Sequence, residues 1–203
     1  MSVTCQCELM DDWDLLAATF DDEADHGLRD AETRNAWREL LLSVLTPDVH
    51  DIADIGCGTG SLAVLLAEEG RDVTGLDLSP QMIAIAERKA AALREHRPVF
   101  LLDDAANPSL PKGAFDAVVA RHILFMLPRP EDVVARWVDL LRPGGVLVLV
   151  EGFWSTGVGL TSTRCEEIVR KHRAHARVQH LSSNPALWGK KVDDERYMVV
   201  STG

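Results

Sequence analysis

The sequence predicts an α/β protein built on a doubly wound, mainly parallel sheet of seven strands with an antiparallel hairpin at its edge. Short β-rich runs alternate with helical stretches through the middle of the chain, which is typical of a parallel sheet covered by helices on both faces. Two further β-rich runs near the C-terminus, joined by a loop, predict the hairpin. A glycine-rich turn also joins the first strand to a helix, the place where such sheets bind ligands.

Length and composition are those of one soluble domain of ordinary size. The chain has 203 residues, of which 46% are hydrophobic and 26% charged, so a full hydrophobic core is available and disorder is disfavoured. No uncharged apolar run approaches the ~20 residues that a membrane helix needs, and the first residues lack the features of a signal peptide. We therefore expect a single cytoplasmic domain over residues 1–203, with no membrane partner.

The charge and the cysteines disfavour other classes of protein. The 21 Lys and Arg residues oppose 32 Asp and Glu residues, giving a net charge of −11, which repels phosphate backbones and disfavours a nucleic-acid partner. Cys5, Cys7, Cys57 and Cys165 are scattered and lack the spacing of a zinc site. We therefore expect reduced thiols and no bound metal.

The first fifty residues predict two helices that precede the sheet. Apolar residues recur at helical spacing over Asp12–Ala24 and Thr33–Leu45, and Pro47 ends the second helix. We expect residues 1–47 to form a helical N-terminal lid, in which the acidic helix with Trp13 and Phe20 closes over the site. The alternative is an amphipathic helix packed permanently on the core.

The middle of the chain, residues 48–152, predicts the parallel part of the sheet and the cofactor-binding core. Runs of strand length alternate with stretches of helical periodicity, and Pro143-Gly144-Gly145 predicts a sharp turn before the fifth strand. The predicted strands are Asp51–Ile55, Asp72–Asp77, Val99–Leu102, Phe115–Ala120 and Gly145–Val150, and the predicted helices are Ser61–Glu69, Pro80–Glu95 and Glu131–Leu141.

The remaining residues, 153–203, predict a helix followed by the hairpin. Thr161–Ala176 has helical periodicity, and the two runs Arg177–Leu181 and Arg196–Thr202 have strand character. The sequence shows no internal repeat and no linker, so we expect no domain boundary.

The segment from Asp54 to Ser61, with the sequence DIGCGTGS, carries the clearest functional signal. It leaves a strand and opens a helix, and its three glycines allow a tight turn and close approach of a ligand to the backbone. The free N–H groups and positive dipole end of the following helix suit a carboxylate or phosphate. An acid that ends the next strand, Asp77, is placed to accept hydrogen bonds from both hydroxyls of a ribose.

The spacing of these glycines distinguishes between nucleotides. The dinucleotide fingerprint G-x-G-x-x-G would place its third glycine at Ser61, whereas the glycines here run G-x-G-x-G. The phosphate-binding pattern that ends in Gly-Lys-Ser/Thr is also missing. The loop therefore suits a nucleoside that carries a carboxylate better than a pyrophosphate.

Several blocks, taken in order, resemble the motifs of class I S-adenosylmethionine-dependent methyltransferases that act on small molecules. Residues 54–60 resemble the first motif, residues 73–82 the second with its ribose-binding acid, and residues 103–105 the third, in which Asp103 replaces the usual glycine. Residues 115–118 and 140–145 resemble the later blocks. The N-terminal Trp13-Asp14 and Phe20-Asp21 resemble a paired Tyr-Asp pattern with other aromatics, and the tail is similar to that of small actinobacterial-type members.

The resemblance covers about residues 50 to 152 and implies a Rossmann-like methyltransferase fold, S-adenosylmethionine as cofactor and a small-molecule acceptor methylated on oxygen or nitrogen. It implies that the glycines meet the methionine half of the cofactor, that Asp54 supports its amino end and that Asp77 binds the ribose. Leu78 flanks the adenine, and Asp104 and Ala105 meet its edge, while the backbone near Arg121 lies beside the methionine amino group. Met82 either packs on the adenine ring or is a methionine of the core. The full set of implied cofactor residues is Asp54, Gly56, Cys57, Gly58, Gly60, Asp77, Leu78, Met82, Asp104, Ala105 and Arg121.

Three residues are candidates for the chemistry at the methyl group. Ligands of doubly wound sheets lie beyond the carboxyl ends of the strands, where His122 follows the fourth strand and Glu151 ends the fifth. His122 has a near-neutral reference pKa and is a candidate general base; the alternative is a histidine that caps a helix or fills a wall. Glu151 and His26, the latter in the predicted lid, are further catalytic candidates.

Two other functions stay open at this point. A nicotinamide-dependent oxidoreductase is disfavoured by the glycine spacing, and a non-catalytic methyltransferase-like binding protein would need a damaged cofactor loop. The sequence leaves the identity of the acceptor and the oligomeric state open.

Overall fold

The computed structural model describes the backbone of residues 6–203 and the side chains from Trp13 onward. Seven strands form one sheet in the order β3-β2-β1-β4-β5-β7-β6. Only the pairs that include β7 are antiparallel among these strands, so β6 and β7 form the antiparallel end of a parallel sheet. This confirms the predicted fold class. The strands are β1 (Asp51–Ile55), β2 (Asp72–Asp77), β3 (Val99–Leu102), β4 (Phe115–Arg121), β5 (Leu141–Phe153), β6 (Arg177–His180) and β7 (Glu195–Thr202).

Helices precede the sheet and connect its strands. The α-helices are α1 (Gln6–Phe20), α2 (Ala24–Gly27), α3 (Ala31–Leu42), α4 (Ser61–Glu68), α5 (Pro80–Ala90), α6 (Pro130–Asp139) and α7 (Ser162–Arg170), with short 3₁₀ turns at Leu124–Met126 and Pro185–Leu187. Within residues 6–203, no helix has both the length and the apolar character needed to cross a membrane.

Two hydrophobic layers lie on opposite faces of the sheet, because successive strand residues point to opposite sides. Ile52 and Val119 pack in the layer that contains α3 and α4, whereas Ala53 and Val118 pack in the layer that contains α6 and α7. The buried indole of Trp37 on α3 donates a hydrogen bond to the carbonyl of Leu187 over 2.7 Å. This contact joins the N-terminal helices to the loop before β7.

The N-terminal segment differs from the prediction of one helix over Asp12–Ala24. The chain turns after Phe20 and makes the separate short helix α2, because the Asp21 side chain points inward and is buried. The third helix begins two residues earlier than predicted, since the Asp30 carboxylate accepts a hydrogen bond from the backbone N–H of Thr33 over 2.9 Å and caps it.

Several other predicted elements have different ends, and the largest difference among the strands is β5, which runs over Leu141–Phe153 and not over Gly145–Val150. The helix predicted over Pro80–Glu95 ends at Ala90, the last of its residues that is buried against the protein, and the exposed residues beyond it lack the packing that sustains a helix. The helix predicted over Thr161–Ala176 ends at Arg170. The predicted turn at residues 143–145 lies inside β5, as an irregularity in its pairing with β4.

Candidate functional site

A cavity of about 870 Å³ lies at the carboxyl ends of β1, β2 and β4. The turn after β1 forms its floor, and residues of α1, α2 and the loops after β4, β5 and β6 form its walls. This is the edge at which ligands of doubly wound sheets bind. The cavity is lined by most of the residues that the resemblance implied for the cofactor: Asp54, Gly56, Cys57, Gly58, Asp77, Leu78, Met82, Asp104, Ala105 and Arg121.

The glycine turn has the backbone that its sequence predicts. Gly56, Gly58 and Gly60 have φ values of +69°, +54° and +74°, which side chains rarely tolerate. Gly56 and Gly58 line the cavity, and Phe20 lies over Gly58, with its nearest ring carbon 3.3 Å from the point that a Cβ atom would occupy. The turn is thus tight, and a side chain at Gly58 would meet the Phe20 ring and enter the cavity.

Gly60 has a different role from the one predicted. It does not line the cavity; a Cβ atom there would lie 2.7 Å from the Cβ atom of Ala86 and 2.9 Å from the ring of Phe100. Gly60 therefore allows the start of α4 to pack closely against α5 and β3. The prediction that it contacts the cofactor is not supported by this placement.

Asp77 holds the turn from the neighbouring strand. One of its carboxylate oxygens accepts a hydrogen bond from the N–H of Gly58, and the other accepts one from the N–H of Ser79, each over 2.9 Å. Burial raises the pKa of Asp77, and these two N–H groups oppose the rise. A carboxylate has about four acceptor positions, so Asp77 retains capacity for donors in the cavity.

Asp54 presents an unsatisfied carboxylate beneath the turn. The side chain is buried, and its Oδ2 atom has no hydrogen-bond partner within the part of the chain that the structure describes. Burial raises the pKa of Asp54 to about 7, while the positive charge of Arg121 opposes that rise. Buried polar atoms are almost always paired, so this oxygen is a place where a ligand donor fits.

The other implied cofactor residues form the two sides of this end of the cavity. Leu78 and Met82 follow β2, and Asp104 and Ala105 follow β3. One Asp104 oxygen accepts a hydrogen bond from the N–H of Ala106 over 2.8 Å, and the Ala105 carbonyl accepts one from the Trp137 indole, also over 2.8 Å. The loop after β3 is therefore fixed from both sides.

Two aspartates, Asp14 and Asp21, fasten the N-terminal segment to the cofactor end of the cavity. Asp14 accepts hydrogen bonds from the Ser79 hydroxyl and from the N–H of Gln81. Asp21 accepts one from the Thr59 hydroxyl over 2.5 Å, and both its oxygens contact the Lys89 ammonium, at 2.8 and 2.7 Å. These contacts hold α1 and the chain after it against the glycine turn and against α5.

Arg121 acts through its side chain as well as through its backbone. Its guanidinium is 4.9 Å from the centre of the Trp37 ring and donates a hydrogen bond to the backbone carbonyl of Asp25. It therefore connects the end of β4 to both α2 and α3, a contact that the sequence analysis did not predict.

His122 lies in the cavity wall with unusual backbone geometry. Its φ is +56°, rare for a residue other than glycine, and its N–H donates to the carbonyl of Val150 over 2.9 Å. The ring packs edge-on against Trp154 at 5.4 Å between centres. Burial, followed by the positive charge of Arg121, holds the pKa of His122 well below its usual range, so the imidazole is neutral at pH 7.

Asp25, which the sequence analysis did not single out, lies between three basic groups. Its Oδ2 atom is 3.9 Å from Nε2 of His122, 3.9 Å from Nε2 of His26 and 3.9 Å from a terminal nitrogen of Arg196. His26 also stacks on Phe20, with ring centres 4.3 Å apart. The structure thus brings two of the three predicted catalytic candidates together at one carboxylate.

Glu151, the third catalytic candidate, does not line the cavity. Its side chain is fully buried, and its Oε1 atom accepts hydrogen bonds from the N–H groups of Ile123 and Leu124, over 3.1 and 2.7 Å. Burial raises the pKa of Glu151 to about 8, and these N–H groups oppose the rise. We therefore withdraw the prediction that Glu151 contacts the acceptor, because its carboxyl group holds the loop after β4 instead.

Aromatic and aliphatic side chains line the far end of the cavity. Phe125 packs against Trp154 with ring centres 4.8 Å apart, and Met126, Leu127 and Val158 complete this wall. The sequence analysis missed these residues and Arg196. The one available signal was the position of Trp154 between β5 and α7, where the chain has to cross the carboxyl edge of the sheet.

The fold and the cavity together define a Rossmann-like α/β protein with a glycine turn after β1 at the floor of the cavity. Residues 53–149, just under half of the chain, match the sequence profile of a family described as "Methyltransferase domain". The match therefore relates this part of the chain to methyltransferase domains.

Named relatives agree with this assignment. The chain is 41% identical over 118 residues to a demethylmenaquinone methyltransferase of Thermus thermophilus, covering 57% of this chain and 53% of the relative. It is 38% identical over 102 residues to a magnesium-protoporphyrin O-methyltransferase of Rhodobacter capsulatus, covering 49% of this chain and 45% of the relative. The chain thus spans about half the length of these relatives.

The crystal structure of the [4+2]-cyclase SpnF has the same fold. It superimposes with a TM-score of 0.78 at 19% identity and covers 100% of this chain and 98% of the cyclase chain. At this identity the likeness concerns the fold alone, and one fold supports many reactions.

Proposed function

We propose that this protein is an S-adenosylmethionine-dependent methyltransferase that methylates a small molecule on oxygen or nitrogen. One observation carries the proposal. The glycine turn, Asp77 and the unpartnered carboxylate of Asp54 line one end of a cavity whose other end is apolar and contains an imidazole. Such a cavity can hold a nucleoside cofactor at one end and a methyl acceptor at the other, next to each other as methyl transfer requires.

The residues at the nucleoside end fit this cofactor. Gly56 and Gly58 line the cavity without side chains, so a ligand can approach the backbone there, and the unpartnered oxygen of Asp54 suits an amino group. Asp77 has remaining acceptor capacity for ribose hydroxyls, and Leu78 and Met82 offer apolar contact to a base. S-adenosylmethionine supplies an activated methyl group when it is bound; the protein supplies position and electrostatics.

His122 is the residue we propose as general base. Its ring lies in the cavity wall, and it is neutral at pH 7 because burial and Arg121 lower its pKa. A neutral imidazole accepts a proton from an acceptor hydroxyl or amine as that group is methylated. The apolar wall formed by Phe125 and Trp154 favours an acceptor with apolar surface. The O-methyltransferase of Rhodobacter capsulatus among the relatives supports oxygen as the methylated atom.

The N-terminal segment, residues 1–47, is proposed to be the lid of a single domain whose core is residues 48–152 and whose last part is residues 153–203. The Asp21–Lys89 and Asp14–Ser79 contacts hold this segment over the glycine turn. A cover of this kind excludes water from the reaction. The alternative is a helix packed permanently on the core, because the same contacts would hold either a movable lid or a fixed helix in this position.

Two measurements test the proposed function. In a thermal-shift comparison, S-adenosylmethionine at 100 times its Kd should raise the stability by ~2.7 kcal/mol, while NAD⁺ should not. Release of S-adenosylhomocysteine is then measured against pools of hydroxylated and amine metabolites. Stabilisation by NAD⁺ alone would favour an oxidoreductase, and stabilisation by S-adenosylmethionine without turnover in any pool would favour a binding protein.

His122→Ala then separates the roles of the histidine. As the base, its loss should reduce kcat by ~10²–10⁴ with little change in the affinity for S-adenosylmethionine. A raised KM for the acceptor at unchanged kcat would show instead that His122 only holds the acceptor.

A further inference from the structure

A buried carboxylate faces two imidazoles in the wall of the cavity. Asp25 is 4% exposed, and its Oδ2 atom lies at the same distance, 3.9 Å, from the Nε2 atoms of His122 and His26. We propose that Asp25 is a positioning residue that couples these two histidines, so that the proton released by the methyl acceptor passes from His122 to His26. This inference rests on the proposed methyl transfer and assigns to Asp25 and His26 a function within it.

The orientation of the rings supports the coupling. The Nδ1 atoms of both histidines are buried and have no hydrogen-bond partner among residues 13–203, and Nε2 is the nitrogen of each ring that lies 3.9 Å from the same carboxylate oxygen. A separation of 3.9 Å exceeds a hydrogen bond. Contacts of catalytic groups are often long before the substrate binds and shorten when it does, and one bridging water would also connect them.

The reaction creates the need for such a path. When a hydroxyl acceptor is methylated, its O–H bond breaks and a new O–C bond forms, while the electrons of the broken C–S bond remain on the cofactor sulfur. The proton moves to Nε2 of His122; that N–H bond then breaks, and the proton passes through Oδ2 of Asp25 or a water bound to it to Nε2 of His26. The side chain of His122 is 14% exposed, whereas that of His26 is 27% exposed. His26 is therefore the more accessible imidazole from which the proton can reach water.

The positive charges around the two histidines explain why a carboxylate is needed between them. Arg121 from β4 and Arg196 from β7 both lower the pKa of His122, and Arg121 lowers that of His26. The carboxylates of Asp25 and Glu23 oppose this at His26; Glu23 in turn pairs with Lys190 at 3.1 Å. Without Asp25, the two imidazoles would face two guanidinium groups, and the carboxylate left near His26 would be Glu23, which Lys190 already engages.

The first test needs no acceptor. The imidazole signals of ¹⁵N-labelled protein are titrated by NMR with S-adenosylmethionine bound, and His26 and His122 are assigned from their Gln variants. Asp25→Asn should lower the pKa of His26 by about one unit. His122→Gln should also shift the pKa of His26. The control Glu32→Gln removes a negative charge from an exposed position on the neighbouring helix α3 and should leave the pKa of His26 unchanged. An Asp25→Asn protein that binds S-adenosylmethionine but keeps the wild-type pKa of His26 would overturn the proposal.

The second test uses turnover with the acceptor found by the S-adenosylhomocysteine screen. Asp25→Asn should reduce kcat at least tenfold at unchanged KM, Asp25→Glu should recover part of it, and added imidazole should restore His26→Ala. Wild-type kcat in Asp25→Asn, in a protein that transfers methyl groups, would refute the coupling alone. Wild-type protein that binds no S-adenosylmethionine would refute the proposed function, whatever the histidine titrations show.

Discussion

Replacing Glu151 by glutamine tests whether the buried carboxyl group beneath the loop after β4 carries a proton at pH 7. Burial raises its pKa from an ordinary value of 4.5 to about 8. A group whose pKa is higher in the folded state binds its proton more tightly there. Its contribution to stability is therefore complete below about pH 4.5 and is lost as the pH rises towards about 8.

The size of the effect follows from that rise. At about 1.4 kcal/mol per pKa unit, the whole contribution is about 5 kcal/mol, and about 2–3 kcal/mol of it is lost between pH 6 and pH 8. The glutamine side chain keeps an oxygen that can accept from the N–H groups of Ile123 and Leu124 but has no proton to lose. The variant should therefore already be about 2 kcal/mol more stable than the wild type at pH 6, and this difference should grow by about a further 2–3 kcal/mol by pH 8.

The assay is urea denaturation of both proteins at pH 6, 7, 8 and 9. Asp54 and the two histidines of the cavity titrate alike in both proteins, so the difference between the two curves isolates Glu151. Glu167→Gln makes the same chemical change at an exposed position on α7 and should follow the wild type. A difference between wild type and Glu151→Gln that does not vary with pH would show that Glu151 is ionised in the fold and would refute this reasoning.

Three further predictions concern the cofactor end of the cavity. Asp77→Asn should weaken the binding of S-adenosylmethionine by about 1–3 kcal/mol in calorimetry while the protein stays folded; unchanged affinity would remove Asp77 from the ribose site. Gly58→Val should abolish binding with little loss of the far-UV spectrum, whereas Gly60→Ala should lower the free energy of unfolding by about 1–3 kcal/mol, because its Cβ atom would lie 2.7 Å from that of Ala86. Equal effects of the two glycine variants would contradict their separate roles. Lys89→Met should cost about 1.5–3 kcal/mol of stability and speed proteolysis of the chain between α1 and α2, and adding Asp21→Asn should recover part of that stability if the ion pair is the cause.

The sequence predicted β1, β2 and β3 to the residue because each is a short apolar run bounded by polar or turn residues. It also predicted the glycine turn and the acid at the end of β2, since both are local patterns with a direct physical reason. It did not predict that α5 ends at Ala90, because nothing in Pro80–Glu95 shows where the helix leaves the protein surface. Helix ends of this kind depend on tertiary packing.

The acceptor end of the cavity was predicted less well for the same reason. Asp25 and Arg196 meet at 3.9 Å although they lie near opposite ends of the sequence, and no local pattern reports such a contact. Glu151 was predicted to end the fifth strand, but β5 continues to Phe153, and the strand pattern did not show to which side the Glu151 carboxyl group points. Gly60 was part of a genuine motif, and only the neighbouring side chains of Ala86 and Phe100 showed that it serves packing.

The position of β7 in the sheet affects how the protein is made. This strand comes last along the chain, yet it lies between β5 and β6, and its residue Arg196 joins Asp25 in the cavity wall. A chain that is still being synthesised can pair β1 to β5 early, but it exposes the free edge of β5 and an unfinished cavity until β7 has emerged. Synthesis that stalls before Glu195 would thus leave an aggregation-prone edge, and no partly made chain would carry the complete acceptor end of the cavity.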